Sequence, residues 1–306
     1  MISVYRQLDF FRGQYLKKHL INRGRLKNKL SQHFAKKIKA DLNKLYNQKL
    51  KLPANRQVSG IPVSLTSWAP RVNSLPLTLL SILHQSIIPK NIYVWISHED
   101  RNNFSDFAKL FKPYGVIFQY VENLGPHKKW YPMIKETDHQ SFVICDDDTF
   151  YPRTWFANLI DPIKESPVNE VIAHRCHRMI LKNNKLLPYN SWEQNLTGSN
   201  SSAKDLFPTG CGGVYIPREI FSEDFINLEL ILKLCPRADD IWLKFAALYA
   251  GIKTRKTAYD FIPIEEVSTE VSSLMNSNIL ENENDKQLKE LVNHFETPLA
   301  ELLQIN

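Results

Sequence analysis

Short apolar runs alternate with segments of helical period through most of the chain. The runs IPVSLTS (61–67), NIYVWIS (91–97), GVIFQYV (115–121) and SFVIC (141–145) have strand length and little polar content. Between them, residues 73–86, 104–112 and 129–137 space their apolar positions three and four apart, as Leu75, Leu79, Ile82 and Leu83 do in the first. Strands alternating with helices predict an α/β fold, a mostly parallel sheet flanked by helices. In such sheets ligands gather beyond the carboxyl ends of the strands.

The pattern continues with less regularity. Pro152 opens a helix carrying Trp155, Leu159 and Ile163, and residues 169–175 read as a strand. Asn183-Asn184 marks a hairpin turn, and GGVYIP (212–217) is a short strand. The polar, turn-rich stretch 189–206 reads as a mobile loop. Residues 239–250 form a helix that starts on Asp239-Asp240, and 283–304 is amphipathic, broken at Pro298.

Residues 1–50 are a different material. Leu30, Phe34, Ile38, Leu42, Leu45 and Leu50 fall near one helical stripe, with Lys36, Lys37, Lys39 and Lys44 on other faces. Residues 1–52 hold fourteen Lys and Arg against Asp9 and Asp41, whereas the rest of the chain has 25 basic and 30 acidic residues. The net charge of +7 over 306 residues therefore belongs to the N-terminus. A basic amphipathic stretch points to an anionic membrane surface as partner, in preference to nucleic acid. The division expected is a basic helical extension (1–56), a catalytic domain (57–270) and a C-terminal helical segment (271–306). With no apolar run of spanning length and no signal-peptide core, the chain is expected in the cytoplasm, peripheral on the inner face of the membrane. The four cysteines show no CxxC pair, so buried thiols are expected rather than disulfides, or zinc at His174, Cys176 and His177.

The chemistry concentrates in Asp146-Asp147-Asp148, directly after FVIC. Three carboxylates at a strand end repel one another, and a hard divalent cation, Mn²⁺ or Mg²⁺, removes that cost while sharing oxygen ligands with a diphosphate. In extended backbone Asp146 and Asp148 point to one side and Asp147 to the other.

A strand followed by DxD, Tyr-Pro and a Trp-containing helix resembles the GT-A glycosyltransferases, particularly bacterial family-2-like enzymes of capsule and lipopolysaccharide synthesis. Four further segments match in order: SLTSWAPRV, LTLLSILHQSIIPKNIYVWIS, LGPHKKWYP, and TGCGGVYIP with CPRADDIW. The resemblance covers residues 58–256 and implies a GT-A-like (Rossmann-like) fold with inverting transfer from a nucleotide-sugar, UDP-linked, to a lipid-linked or oligosaccharide acceptor. It implies nucleotide binding by Thr66, Ser67 and Arg71, and a metal on Asp148 and Asp146. Lys129 would face the phosphates, with Lys128 as the neighbouring choice. Asp147, Gly212 and Gly213 would line the site, the glycines, with Gly210, letting backbone approach a sugar. Asp240 would be the general base, and Asp239 would orient the acceptor. Trp68, Trp130, Trp192 and Trp242 flank these motifs and read equally as packing. The rival readings are a nucleotidyltransferase, for which SWAPRV is a poor phosphate loop, and a silent glycan- or nucleic-acid-binding protein.

Overall fold

The computed structural model of the chain describes residues 57–165, 169–198, 200–261, 263, 283–296 and 299–303, together with Ala40. The basic segment 1–52, apart from Ala40, and the linker before 57 lie outside the described residues. No helix among the described residues is long and apolar enough to cross a membrane.

In chain order the strands used below are β1 (Val63–Thr66), β2 (Ile92–Ser97), β3 (Val116–Val121), β4 (Ser141–Ile144), β5 (Val171–Ala173), β6 (Cys176–Arg178), β7 (Ser201–Ala203), β8 (Leu206–Pro208), β9 (Val214–Pro217) and β10 (Thr254–Lys256). Eight of them form one sheet in the order β7-β10-β5-β9-β4-β1-β2-β3. β1 to β4 are parallel, with Val63 opposite Ile92 and Val143. β9 runs antiparallel between β4 and β5, and β7 closes the edge antiparallel to β10. The fold is thus the expected Rossmann-like α/β sheet, mostly parallel.

The helices are α1 (Leu75–Leu83), α2 (Arg101–Phe111), α3 (Tyr131–Glu136), α4 (Trp155–Glu165), α5 (Leu228–Leu234), α6 (Asp239–Tyr249), α7 (Glu283–Phe295) and α8 (Leu299–Leu303). They cover both faces, which is why the parallel strands read as continuous apolar runs. Alternate residues enter opposite layers: Val143 and Cys145 pack with α1, α2 and α4, whereas Phe142 and Ile144 pack with α3, α6 and α7. α7 and α8 bury Leu288, Leu291, Leu299 and Leu303 in that second layer. Each such burial contributes roughly 1.5–3 kcal/mol.

The hairpin at Asn183-Asn184 is present, and both residues take the positive φ, 52° and 58°, that a two-residue turn of this hand requires. The stretch expected as a mobile loop is instead built into the body. Within it Trp192 is buried with its indole Nε1–H on the Leu187 carbonyl (2.8 Å), and Ser201–Ala203 joins the sheet as β7. Its polar composition is that of an edge strand, not of free chain.

α1 shows why sequence pattern alone understates a helix. All nine of its residues are buried, including Thr78 and Ser81. These two and Gln85 form a polar stripe inside the core that fastens the acidic segment. Thr78 Oγ1 donates to the Asp147 carbonyl (2.8 Å), Ser81 Oγ accepts from the Tyr151 amide (3.1 Å), and Gln85 Nε2 donates to the Pro152 carbonyl (2.8 Å). Buried polar groups are stable only when paired in this way.

Candidate functional site

A cleft of about 920 Å³ opens beyond the carboxyl ends of the parallel strands. Thr66, Ser67, Trp68 and Arg71 line it after β1, Glu99 and Asp100 after β2, Asn123 after β3, the acidic triplet after β4 and Arg175 after β5. The volume is within the range of small-molecule sites.

Two cations organise its carboxylates. Lys129 lies between Asp146 Oδ1 and Asp239 Oδ2, 3.0 Å from each. Burial alone would lower the Lys129 pKa, but Asp146, Asp239 and Asp240 overcome this and raise it well above the ordinary value. Arg71 Nη1 sits 2.5 Å from Asp147 Oδ1 and 3.1 Å from Asp148 Oδ2. Against burial, Asp147 and Asp148 hold that guanidinium charged.

This partition corrects the side-by-side geometry expected of the triplet. The strand ends at Ile144 and the chain bends at Asp147 and Asp148. Asp146 therefore turns to Lys129, while Asp147 and Asp148 share Arg71. All three still line the cleft. Among the described residues no three His, Cys, Asp or Glu side chains cluster as a metal cage. Asp146 and Asp148 offer two carboxylates, a set that suits Mg²⁺ arriving on phosphate oxygens better than a resident ion.

His127, inside the LGPHKKWYP segment, carries no sequence signal for the role the structure gives it. Its buried ring places Nε2 2.6 Å from the Cys235 carbonyl, and Nδ1 accepts from Trp130 Nε1 (3.1 Å). This ties the lysine segment to the loop before α6, and Ser64 Oγ donates to the Lys129 carbonyl (2.6 Å) from the other side. Lys129 is thereby presented to Asp239 by two separate struts.

Asp240 accepts from the Gly210 amide through both oxygens, at 3.0 and 3.1 Å. Burial first, then the neighbouring Asp239, push its pKa up to about 7, against the pull of Lys129. Gly210 is the glycine this arrangement requires: a Cβ there would lie 2.9 Å from Lys129 Nζ and 3.0 Å from Asp240 Oδ1. Gly212 and Gly213 make room for protein. A Cβ on Gly212 would meet Arg175 Cβ at 2.8 Å. On Gly213 (φ +87°) it would meet the Trp155 ring at 2.4 Å.

Thr66 Oγ1 donates to the Trp95 carbonyl (2.8 Å), a strand-end contact, and Ser67 lines the cleft with its hydroxyl buried. Trp130, Trp192 and Trp242 are buried, whereas Trp68 is exposed at the cleft. His174 is a core histidine between Thr257 Oγ1 (2.6 Å) and the Trp155 carbonyl (2.9 Å), and all four cysteines are free thiols. His294 is exposed on α7.

Lys128 and Arg175 differ from the other cations of the cleft. Lys128 is buried, its Nζ 3.5 Å from Asn123 Oδ1, and neither residue makes an ion pair within 4.0 Å among the described residues. Burial lowers the Lys128 pKa against the attraction of Asp100, Glu99 and Asp147.

No family model matches this sequence, and no curated protein matches it. Solved structures similar to the chain include the inositol-1-phosphate CTP transferase from T. maritima, at 9% identity and TM-score 0.40, over 66% of this chain and 86% of that one. HddC from Yersinia pseudotuberculosis matches at 12% and 0.35, over 52% and 78%. A CMP:2-keto-3-deoxy-manno-octonic acid synthetase complexed with CTP matches at 12% and 0.39, over 74% and 99%. None of these proteins is named as a glycosyltransferase, and this corrects the family expected from the motif order. The surface-glycan transferase reading, with its UDP-sugar donor and glycan acceptor, is set aside. The motifs misled because a strand, a carboxylate cluster and a nearby lysine are what any α/β site for a metal-bound nucleotide requires.

Proposed function

We propose that the cleft binds a nucleoside triphosphate as its Mg²⁺ or Mn²⁺ complex and that the chain is a nucleotidyltransferase. The observation that carries the reading is Lys128, a buried cation with no carboxylate within 4.0 Å among the described residues, in one cleft with an acidic triplet. A buried charge left unpaired is costly, and a phosphate oxyanion removes that cost. Lys129, the residue expected from sequence to face the phosphates, is already committed to Asp146 and Asp239, so its part is to hold the carboxylates in place.

In this reading Asp146 and Asp148 would hold the metal that travels with the phosphates, and its chemistry there would be charge screening of the leaving group. Trp68, exposed at the cleft, offers a face to the base. An acceptor hydroxyl attacks the α-phosphorus. A new P–O bond forms, the bond to the bridging α–β oxygen breaks, and pyrophosphate leaves with the electron pair. Asp240 takes the hydroxyl proton, and its raised pKa suits a base working near neutrality. The Gly210 amide fixes its carboxylate during transfer.

Calorimetric titration with each Mg²⁺–nucleoside triphosphate tests the binding half of this reading. Lys128→Met is expected to weaken the preferred nucleotide at least tenfold, as loss of a charge-assisted hydrogen bond of about 1.5–3 kcal/mol requires. Equal affinity in the two proteins would remove Lys128 as the phosphate cation and with it the main support for the proposal.

A further inference from the structure

Arginines that serve the architecture of this protein are paired. Arg178 Nη1 meets Asp205 Oδ2 at 2.6 Å, Arg255 Nε meets Glu170 Oε2 at 2.5 Å, and Arg218 donates to three backbone carbonyls. Arg175, a cleft residue, has no carboxylate within 4.0 Å among the described residues. It sits in the cleft wall between β5 and β6, partly buried, and its Nη1 donates to Thr209 Oγ1 (2.7 Å) and reaches Cys211 Sγ (3.6 Å). A guanidinium carries five N–H donors, and only Nη1 is engaged here, by a neutral hydroxyl and a weakly accepting thiol.

The surroundings have been cleared for this side chain. Gly212 leaves the space that Arg175 Cβ occupies, and the Thr209 amide donates to the Arg175 carbonyl (3.1 Å), so backbone and stem are fixed. Burial works against the charge on Arg175, while Cys211, Tyr189 and Asp240 favour it, none of them through an ion pair within 4.0 Å. Thr209 and Cys211, the side chains it contacts, are uncharged partners that leave the guanidinium charge without a counter-ion in contact. A fixed, partly desolvated guanidinium with its fork unfilled matches an oxyanion bidentately.

We propose that Arg175 binds an oxyanion, a carboxylate or a phosphate, carried by the second substrate of the reaction. The assignment of that group to a second substrate rests on the nucleotidyl-transfer reading; the oxyanion site itself does not. An acceptor anchored at Arg175 is held in the part of the cleft that also contains Asp240, which orients its hydroxyl toward the base.

The test titrates inorganic phosphate and, separately, malonate into Lys128→Met protein, so that Lys128 cannot report. Saturable binding of phosphate, malonate or both is expected, at least tenfold weaker once Arg175→Gln is added. Arg175→Lys keeps the charge without the fork and should fall between; it also serves if the glutamine variant does not fold. Mg²⁺–nucleotide affinity of the single variant Arg175→Gln should stay within twofold of the wild type. Phosphate binding without malonate binding assigns a phosphate-bearing substrate, and the reverse a carboxylate. Unchanged oxyanion affinity in Arg175→Gln, or no oxyanion binding before that change, overturns the proposal. An equal loss of nucleotide affinity overturns it too, because Arg175 would then belong to the nucleotide. A wild-type protein that ignores every nucleotide yet loses oxyanion binding with Arg175 sinks the nucleotidyl reading alone.

Discussion

Lys129→Met is expected to lower the unfolding free energy by about 3–5 kcal/mol, the scale for removing one partner of a buried ion pair. The side chain is only 8% exposed, and its ammonium stands 3.0 Å from both Asp146 and Asp239. Without it those two carboxylates and the neighbouring Asp240 face one another across a poorly solvated gap. Urea unfolding at neutral pH measures the loss, and Lys129→Arg, which keeps the charge, should lose less than half as much. A fall under about 1 kcal/mol in Lys129→Met would mean that solvent reaches these carboxylates and that the lysine does not organise them.

How much of this could be read from the chain depends on how local each feature is. The strands and helices up to residue 145 were legible because apolar runs of strand length and helical spacing are short-range patterns. The residue types of the site were legible too: the triplet, Lys129, Arg71 and the acidic pair all line one cleft. Their pairings were not. Which lysine is locked and which is unpaired depends on Asp239, 110 positions downstream of Lys129, and spacing carries no trace of that contact. The same holds for the glycines. Gly210 abuts the carboxylates, whereas Gly212 and Gly213 yield to Arg175 and Trp155, although the sequence presents them as one loop. The edge strand β7 was missed because an edge needs neither apolar alternation nor strong strand propensity. The family reading failed for a further reason. It rested on an order of segments that the fold itself imposes, and order of that kind does not choose between reactions.

Asp240→Asn is expected to reduce turnover by about 10²-fold or more while Mg²⁺–nucleotide affinity holds, since the substitution removes a proton acceptor and keeps the contact to the Gly210 amide. The wild-type rate should rise as pH rises through about 7, where burial and Asp239 place the Asp240 titration, and the variant should lose that limb. Stability moves the other way. A carboxyl whose pKa is raised in the folded state binds its proton more tightly there than in the unfolded chain, so its contribution is complete below about pH 4 and is lost as pH climbs to about 7. Asp240→Asn should therefore melt above the wild type at pH 7.5 and level with it near pH 4. If Asp239→Asn proves to be the inactive variant and Asp240→Asn turns over normally, the two roles are reversed.

The nucleotidyl-transfer proposal meets its most direct test in the identity of the leaving group. Wild-type protein is incubated with Mg²⁺ or Mn²⁺, each nucleoside triphosphate in turn, and a panel of phosphorylated and carboxylated sugar and polyol acceptors. Released phosphates are then resolved by ion-exchange chromatography. The proposal predicts acceptor-dependent release of pyrophosphate from one preferred nucleotide, with the nucleoside monophosphate recovered on the acceptor and both signals lowered about 10²-fold or more in Asp240→Asn. Release of a nucleoside diphosphate when a nucleotide-sugar replaces the triphosphate, with no pyrophosphate from any triphosphate, would contradict it.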